Sequence, residues 1–418
     1  MARIALVTMG THGDVVPYLG LGQRLSSAGH EMTVATTARF AGLVTAAGLA
    51  FHELPAADPR EVAAGEQGRA AARGGLRGML SATRAAAGIL RRPVPAMISA
   101  IAAADVVLST STSLVAAPIA EAHGRALVSL ALQPVVATRS HGPALTGGRN
   151  LGPWLNRAVP AAFTRVGMRA FSGLIRDLRR ELDLPATPAP GYRPDELTVL
   201  HGISPTVYPR PTDWPARADV VGYWWPPAPE AGWEPDTALI DFLDDGPPPV
   251  YVGFGSMGSD RAEQVTSVVG ATLRATGHRA IVSRGWADLA VDGADVLTVD
   301  AVPHSWLFPR VAAVVHHAGA GTTGASLRAG VPVVPVPFGY DQHFWARRLV
   351  DLGVAPRSLP ARDLRADLLA GALRGALDDR GCRRAAGRIA DRLTDEDGAA
   401  PVLGRVADLA DRRAPHLG

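Results

Sequence analysis

Short apolar runs alternate with helical segments in two separate blocks of the chain, and this alternation restricts the fold more than any other feature. In the first block, residues 3–9 and 31–36 are predicted strands, and a helix is predicted at about 17–28 between them. Strands that alternate with helices pair in parallel, and helices cover both faces of the resulting sheet. The first block is therefore predicted to be an α/β domain.

The alternation restarts after a proline-dense segment, residues 205–249. A chain of 418 residues is also longer than a single hydrophobic core usually supports. Five further strands are predicted, at 250–254, 279–284, 296–299, 312–316 and 331–337. The predicted organisation is an N-terminal domain of residues 1–210, a linker of 211–235 and a C-terminal domain of 236–418. The helical tail of the second domain is expected to cross back onto the first.

Two long excursions interrupt the first block. Residues 56–92 are rich in alanine, glycine and arginine, and residues 133–184 carry large apolar side chains such as Trp154 and Phe163. Inserts of this kind often carry the function of a domain, so the second excursion is predicted to shape a pocket for a small molecule.

The composition excludes several classes of protein. All 42 basic side chains are arginines, they are scattered, and the formal net charge is only +3, which argues against nucleic-acid binding. The arginine-rich stretches 69–92 and 167–180 are interpreted as solvated surface rather than as membrane-binding segments. Cys382 is the one cysteine, which excludes an intrachain disulfide and indicates a reducing, cytoplasmic location. No apolar run approaches the ~18 residues of a membrane span, so stable membrane insertion is not expected.

A turn rich in small residues follows the predicted strand 312–316 and precedes a helix. It contains His317, Gly319, Gly321, Thr322 and Thr323. Backbone N–H groups and the dipole at a helix N-terminus favour a phosphate, and the imidazole and hydroxyl groups can add hydrogen bonds. The turn is a candidate diphosphate site, although such turns also serve ordinary α/β packing.

Asp341 and Gln342 follow the predicted strand 331–337. A carboxylate and an amide at the carboxyl end of a parallel strand can bind several neighbouring hydroxyls of a sugar. The alternative for this pair is a structural role at the N-cap of the next helix.

Four segments of the second block occur in one order: Val302-Pro-His304 with Trp-Leu-Phe308, His-His317-Ala-Gly-Ala-Gly-Thr-Thr323, Arg328-Ala-Gly-Val-Pro, and Pro-Phe-Gly-Tyr-Asp341-Gln342. They resemble the donor signature of the UDP-glycosyltransferase family (glycosyltransferase family 1), most closely its sterol glucosyltransferase-like and bacterial natural-product members. Residues 10–17 resemble the first acceptor-side loop of the same family. The resemblance implies the GT-B fold, an α/β fold of two facing Rossmann-like domains with parallel sheets and an interdomain cleft.

The resemblance also implies roles for single residues. His317 and the helix N–H groups would hold the phosphates, Val302 would offer its backbone to the base, and Asp341 with Gln342 would bind the sugar. UDP-glucose is favoured as donor. A TDP-sugar stays possible, because Ala325 stands where many members have a ribose-binding glutamate. The donor-site candidates are Ser256, Trp286, Val302, His304, His317, Gly319, Gly321, Thr322, Thr323, Asp341 and Gln342.

The family transfers the sugar with inversion, by direct displacement, which needs a base and stabilisation of the leaving nucleotide diphosphate. Asp14 occupies the position at which the family usually has its catalytic histidine, and His12 is the second candidate base. Asp14 could also serve as the N-cap of the helix predicted near Pro17. No metal and no cofactor is expected, because the helix N-terminus near Gly321 would stabilise the leaving group.

The expected activity is transfer of a hexose to a hydroxyl of a hydrophobic small molecule, such as a polyketide, macrolide or sterol-like aglycone, by a monomer or homodimer. Two alternatives stay open: a sugar-nucleotide epimerase and a non-catalytic homologue that activates another enzyme. A dinucleotide-dependent oxidoreductase is disfavoured because the first loop lacks the three-glycine fingerprint. A P-loop NTPase is excluded because the chain contains no lysine.

Overall fold

The computed structural model describes residues 1–56, 87–229, 233–255, 261–285, 288–339 and 341–411. These residues form two parallel sheets covered by helices. The strands are β1 (Arg3–Val7), β2 (Glu31–Thr36), β3 (Ala50–Glu53), β4 (Val106–Ser109), β5 (Ala126–Ala131), β6 (Thr198–His201), β7 (Ala218–Val220), β8 (Val250–Gly253), β9 (Ala280–Ser283), β10 (Val296–Val299), β11 (Ala313–His316) and β12 (Val333–Pro335). The α-helices are α1 (His12–Ser27), α2 (Ala41–Ala46), α3 (Val94–Ala103), α4 (Ser113–Ala122), α5 (Pro153–Ala170), α6 (Ser172–Glu181), α7 (Thr237–Asp244), α8 (Ala262–Thr276), α9 (His304–Leu307), α10 (Ala320–Ala329), α11 (Gln342–Asp351), α12 (Ala366–Asp378), α13 (Arg380–Thr394) and α14 (Ala400–Asp411).

The first sheet has the strand order β3-β2-β1-β4-β5-β6-β7, and the second has the order β10-β9-β8-β11-β12. All pairs are parallel; in the first sheet, Leu6 lies opposite Val34. Successive strand residues enter different cores, as Leu6 and Val7 do in the first sheet and Tyr251 and Val252 do in the second. Each sheet is therefore buried on both faces, which confirms the predicted α/β class with two parallel-sheet domains.

The segment predicted as a linker contributes to the first sheet, because β7 lies within residues 211–235 and pairs with β6. The expected crossing of the tail is confirmed. Val402 and Val406 of α14 are fully buried in a core of the first domain. The chain leaves the first domain near Gly222 and returns to it near Gly398. These two crossings are in contact, since a Cβ added at Gly222 would lie 2.9 Å from the Cα of Gly398.

Helix α1 begins at His12, five residues before the proline that was predicted to start it. The N-cap is Thr11 and Asp14 is the third residue of the helix, so the prediction of Asp14 as N-cap is wrong. A capping box between these two side chains starts the helix one turn early, and Pro17 lies inside it. The excursion 133–184 contains α5 and α6, whereas most of the excursion 56–92 lies outside the described residues. Within the described part of the chain, no helix combines the length and apolarity needed to cross a bilayer.

Candidate active site

Two positions in the fold are where doubly wound sheets bind ligands, because the strand order reverses there: between β1 and β4, and between β8 and β11. The loop after β1 leads to Asp14, and the loop after β11 carries His317. Helix α1 contacts α10, so the two helices that follow these loops meet at the domain interface.

Asp14 is exposed and held by its N-cap. Its Oδ2 accepts hydrogen bonds from Thr11 N at 2.7 Å and from Thr11 Oγ1 at 2.9 Å. Thr8 Oγ1 donates to the Asp14 backbone carbonyl at 2.7 Å. A Cβ at Gly10 would lie 2.4 Å from Asp14 Oδ2, so this glycine, at φ +136°, leaves room for the carboxylate. Both hydrogen bonds to the side chain go to Oδ2, which leaves Oδ1 for a substrate.

His12 is exposed on the first turn of α1. Its ring meets the edge of Phe40 at 5.2 Å between centroids. The Arg39 guanidinium lies 4.4 Å from the centre of the Phe40 ring and donates a hydrogen bond to the Gly10 carbonyl. His12 is therefore packed beside the loop that carries Asp14, while Thr11 provides the hydrogen bonds that orient the carboxylate.

The turn after β11 is shaped by its two histidines. His316 is fully buried, and its Nδ1 accepts a hydrogen bond from Ala318 N at 3.0 Å. Ala318 has the left-handed conformation, φ +61°, which is uncommon for a residue with a side chain. This bend directs the chain into α10, whose first helical hydrogen bond joins Thr323 N to Gly319 O at 2.8 Å.

Glycines make room for the His317 ring above the start of α10. A Cβ at Gly319 would lie 2.4 Å from His317 Nε2, and one at Gly255 would lie 3.1 Å from His317 Cε1. Among the described residues, His317 Nδ1 has no hydrogen-bond partner although it is buried. Burial, together with a smaller effect of nearby His304, lowers the pKa of His317 to about 4. The ring is therefore neutral at neutral pH and has a nitrogen to offer a ligand.

Solvent exposure decreases along the first turn of α10. Gly321 is exposed and Thr322 is half-buried, and the N–H groups of residues 320–322 precede the first intrahelical bond. Thr323 is only 1% exposed, which places its hydroxyl inside the protein rather than on the surface of the turn. Gly321 and Thr322, but not the Thr323 hydroxyl, therefore present hydrogen-bond donors where an anion could bind.

Asp341 and Gln342 stand at the start of α11. Trp345 Nε1 donates to Asp341 Oδ2 at 2.9 Å, and burial raises the pKa of Asp341, which the charge of Asp14 raises further. The carboxylates of the two domains thus lie within electrostatic range of each other. Gln342 Oε1 accepts hydrogen bonds from Phe338 N at 2.8 Å and Gly339 N at 3.3 Å. The side-chain oxygen of Gln342 therefore holds the preceding loop, and its side-chain nitrogen Nε2 is the group left for a ligand.

The other candidates surround the same edge of the second sheet. Val302 is half-buried between β10 and α9. His304 stacks on Phe308 with the centroids 4.3 Å apart, and burial lowers its pKa to about 4. Ser256 and Trp286 lie outside the described residues; they follow Gly255 and Gly285, whose loops are in contact.

Two residues that support the site were not identified from the sequence. Thr11 holds Asp14, and Trp345 holds Asp341. Their signals were present: a threonine three residues before an aspartate is the spacing of a capping box, and residues four apart meet on a helix.

Family models match both halves of the chain. Residues 4–141 match the glycosyltransferase family 28 N-terminal domain. Residues 280–409 match the C-terminal domain described as erythromycin biosynthesis protein CIII-like.

Among curated proteins, the chain is similar to two sterol 3-beta-glucosyltransferases of Arabidopsis thaliana, UGT80B1 and UGT80A2. The identities are 33% and 32%, each over 96% of this chain. The chain spans 67% and 64% of the lengths of these relatives.

Among solved structures, the calicheamicin glycosyltransferase CalG4 superimposes with a TM-score of 0.72 at 20% identity, over 99% of this chain and all of CalG4. The glycosyltransferase VinC in complex with dTDP gives a TM-score of 0.69 at 18% identity, over 98% of this chain and all of VinC. These structures share the two-domain fold, and the identity to the plant relatives shows the family. The chain therefore belongs to the UDP-glycosyltransferase family and has the GT-B fold.

Proposed function

We propose that this protein is an inverting, metal-independent hexosyltransferase that moves a sugar from a nucleotide-sugar to a hydroxyl of a hydrophobic small molecule. One observation carries the proposal: Asp14 of the first domain lies close enough to Asp341 of the second for its charge to raise the pKa of Asp341, and the helices α1 and α10 are in contact. A base and a diphosphate site on opposite sides of one cleft are what direct displacement requires.

In this mechanism the acceptor hydroxyl lies against Asp14 Oδ1. The carboxylate takes the proton as the acceptor oxygen forms a bond to the anomeric carbon from the face opposite the leaving group. The bond from that carbon to the β-phosphate oxygen breaks, and its electron pair leaves on the nucleotide diphosphate. The N–H groups of residues 320–322 and the neutral His317 ring donate hydrogen bonds to the diphosphate.

Asp341 and the amide nitrogen of Gln342 bind hydroxyls of the transferred sugar. Trp345 fixes the orientation of Asp341, and the raised pKa of this carboxyl reflects a site that excludes water. The proposed binding mode leaves Asp341 bonded to Trp345 and free to accept from the sugar through its other oxygen.

The donor and acceptor are proposed from the relatives. UDP-glucose is favoured because the resemblance is to UDP-dependent enzymes and the relatives are named glucosyltransferases. A TDP-sugar is the second candidate, since Ala325 replaces the usual glutamate and VinC was solved with dTDP. A sterol-like or polyketide acceptor agrees with the names of the relatives and of the C-terminal family model. We infer a role in natural-product glycosylation in the cytoplasm, where the buried thiol of Cys382 would stay reduced.

Calorimetric titration of the purified protein with UDP, dTDP and NAD, each with and without magnesium, tests the proposal. Binding of UDP or dTDP that is unchanged by magnesium is expected, and the tighter nucleotide identifies the donor class. Transfer is then assayed with the corresponding glucose donor on a panel of sterols and macrolactones. Binding of NAD alone, or of no nucleotide, would contradict a transferase. Nucleotide binding without transfer to any acceptor would favour the non-catalytic homologue.

A further inference from the structure

Helix α5 (Pro153–Ala170) is almost entirely unburied. Asn156 is its one buried residue. Asn156 Oδ1 accepts from Leu151 N at 2.8 Å, and its Nδ2 donates to Asn150 Oδ1 at 2.9 Å, which fixes the start of the helix to the preceding loop. The next helix, α6, is anchored by a buried ion pair between Arg179 and Glu121 at 2.6 Å. The start of α5 and the helix that follows it are thus anchored, while most of the surface of α5 faces solvent.

Large apolar side chains are concentrated on and before this helix. Among the described residues eight such side chains are exposed, and six of them lie between residues 135 and 166. Trp154 is 74% exposed, Phe163 is 62% exposed and Val166 is 52% exposed. Single exposed apolar residues are ordinary, but a contiguous group marks an interaction surface.

The apolar side chains of α5 share one face. Leu155, Val159, Phe163 and Val166 follow the spacing i, i+4, i+8 and i+11, which places them along one side of a helix. We call this set the apolar stripe. Leu155, Phe163 and Val166 are exposed and Val159 is half-buried, while buried Asn156 lies at the border of the stripe beside Phe163. The stripe is therefore largely open to solvent.

The chain segment that carries the stripe has charges of one sign, although Asp213 of another segment lies within electrostatic range of Arg157. Residues 122–176 contain seven arginines and no aspartate or glutamate. Because seven exceeds the formal net charge of +3, the rest of the chain is net negative. Arg165 and Arg169 are exposed on α5 beside the stripe, and neither forms an ion pair with another described residue. This surface therefore attracts an anionic partner.

The loop before α5 lies against the donor side of the cleft. A Cβ at Gly147 would lie 3.0 Å from the His343 side chain, and one at Gly148 would lie 3.1 Å from the Phe344 ring. Both contacts are at the start of α11, next to Asp341. Helix α5 consequently begins near the rim of the cleft.

We propose that α5 is an interfacial helix that docks the protein on an anionic lipid bilayer. The apolar stripe enters the boundary between headgroups and acyl chains, Trp154 lies at the interface, and Arg165 and Arg169 contact lipid phosphates. Arg169 belongs to the stretch 167–180, which the sequence alone assigns to solvated surface; the proposal places this residue at the lipid surface instead. A second copy of this chain is a poorer occupant, because it would bring the exposed arginines of two α5 helices face to face. Docking does not depend on the reaction; if the proposed function holds, it also lets an acceptor reach the cleft from the lipid.

Co-sedimentation of the full chain with phosphatidylcholine vesicles, with and without phosphatidylglycerol, tests the proposal in the absence of nucleotide. The wild type is expected to bind the anionic vesicles more tightly, and salt should weaken that binding. The double variant Arg165→Gln/Arg169→Gln should lower the partition coefficient roughly 25-fold, from about fivefold per arginine at an anionic surface. The matched control Arg384→Gln/Arg388→Gln, with the same spacing on α13, should bind like the wild type.

The variant Phe163→Ser/Val166→Ser tests the stripe itself. It should lose binding to both kinds of vesicle, whereas Leu43→Ser, which removes an exposed leucine elsewhere, should not. Nucleotide titration of the same variants separates loss of docking from misfolding and from failure of the proposed function. Wild-type sedimentation by the α5 variants, or no binding of the wild type to anionic vesicles, would overturn the proposal. A dimer in light scattering that becomes a monomer in Phe163→Ser/Val166→Ser would assign the stripe to self-association instead.

Discussion

Asp14 combines a structural and a chemical position in one side chain. Oδ2 completes the capping box with Thr11, while Oδ1 takes no part in these hydrogen bonds. A carboxylate held in this way loses little conformational freedom when an acceptor binds, which is what a positioned base requires.

The substitution Asp14→Asn should separate the two roles. The amide oxygen can still accept from Thr11 N, so α1 keeps its start, but the side chain no longer takes a proton. We expect kcat to fall by about 10²- to 10⁴-fold, the usual contribution of a general base, with nucleotide affinity nearly unchanged.

The substitution His317→Ala should instead weaken nucleotide binding. Steady-state kinetics and calorimetry on both variants measure this contrast, and wild-type turnover by Asp14→Asn would remove the assignment of the base.

Residues of the candidate site differ in how visible they are in the sequence. Asp14, His317 and Asp341 stand in short polar turns directly after apolar strands, so their place at the sheet edge follows from the order of the chain. Thr11 and Trp345 act through a hydrogen bond to another side chain, and such a bond depends on where a helix begins. Because the start of α1 was predicted at Pro17, the capping box that lies before the proline was not identified.

The elements that the sequence predicts best are strands. β2 and β10 have the predicted bounds, and both are rich in the β-branched residues that favour strands. β7 was not predicted, since it has only three residues and proline-dense sequence surrounds it. The exposure of α5 could not be predicted from the sequence either. A helical pattern shows which residues share a face but not whether another element covers that face.

Helix α1 packs against the interdomain segment through Gly20, and this contact can be tested. A Cβ at Gly20 would lie 1.8 Å from the carbonyl oxygen of Trp225, so Gly20→Ala must displace one element. We expect the free energy of unfolding to fall by about 1–3 kcal/mol, as for overpacked cores. Gly371→Ala on α12, where nothing lies within 4 Å, should raise it by about 0.5–1 kcal/mol. Urea unfolding of both variants measures the difference, and shifts in the same direction would contradict the packing described.

For the whole molecule, buried histidines link stability to pH. Burial lowers the pKa of His201 to about 4, and burial holds the pKa of fully buried His316 well below its ordinary value near 6.5. Between pH 6.5 and 4 the unfolded chain takes up protons that these folded rings do not, so acid favours unfolding. Each of the two histidines should lower the free energy of unfolding by up to about 1.4 kcal/mol for every unit by which the pH falls in this range.

Urea unfolding at several pH values across this range measures the slope. The variant His201→Phe keeps a ring beside Trp214, with which His201 stacks at 4.5 Å, and removes one titrating group. Its stability should therefore fall less steeply with acid than that of the wild type. Parallel slopes for the two proteins would show that His201 is protonated in the folded state.

The two-domain organisation was predictable from the repeated alternation, and the return of the tail was expected from its helical patterns. The contacts that join the domains were not, because they pair residues far apart in the chain. Glu396 accepts hydrogen bonds from Ser204 at 2.7 Å and from Thr206 at 3.0 Å. Trp224 donates to the Gly398 carbonyl at 2.8 Å, which ties the outgoing and returning crossings together.

The return of α14 to the first domain affects how enzymes of this architecture can be recombined. Exchanging the N-terminal half between relatives at one junction would combine a new core with the tail of the other parent. Val402 and Val406 would then face side chains with which they did not evolve, and Arg24 would lose its partner Asp397. A chimera with two junctions, one near Val220 and one near Asp397, keeps the tail with the sheet that it covers. Gene shuffling of acceptor specificity should therefore treat the first domain as two separated stretches of sequence.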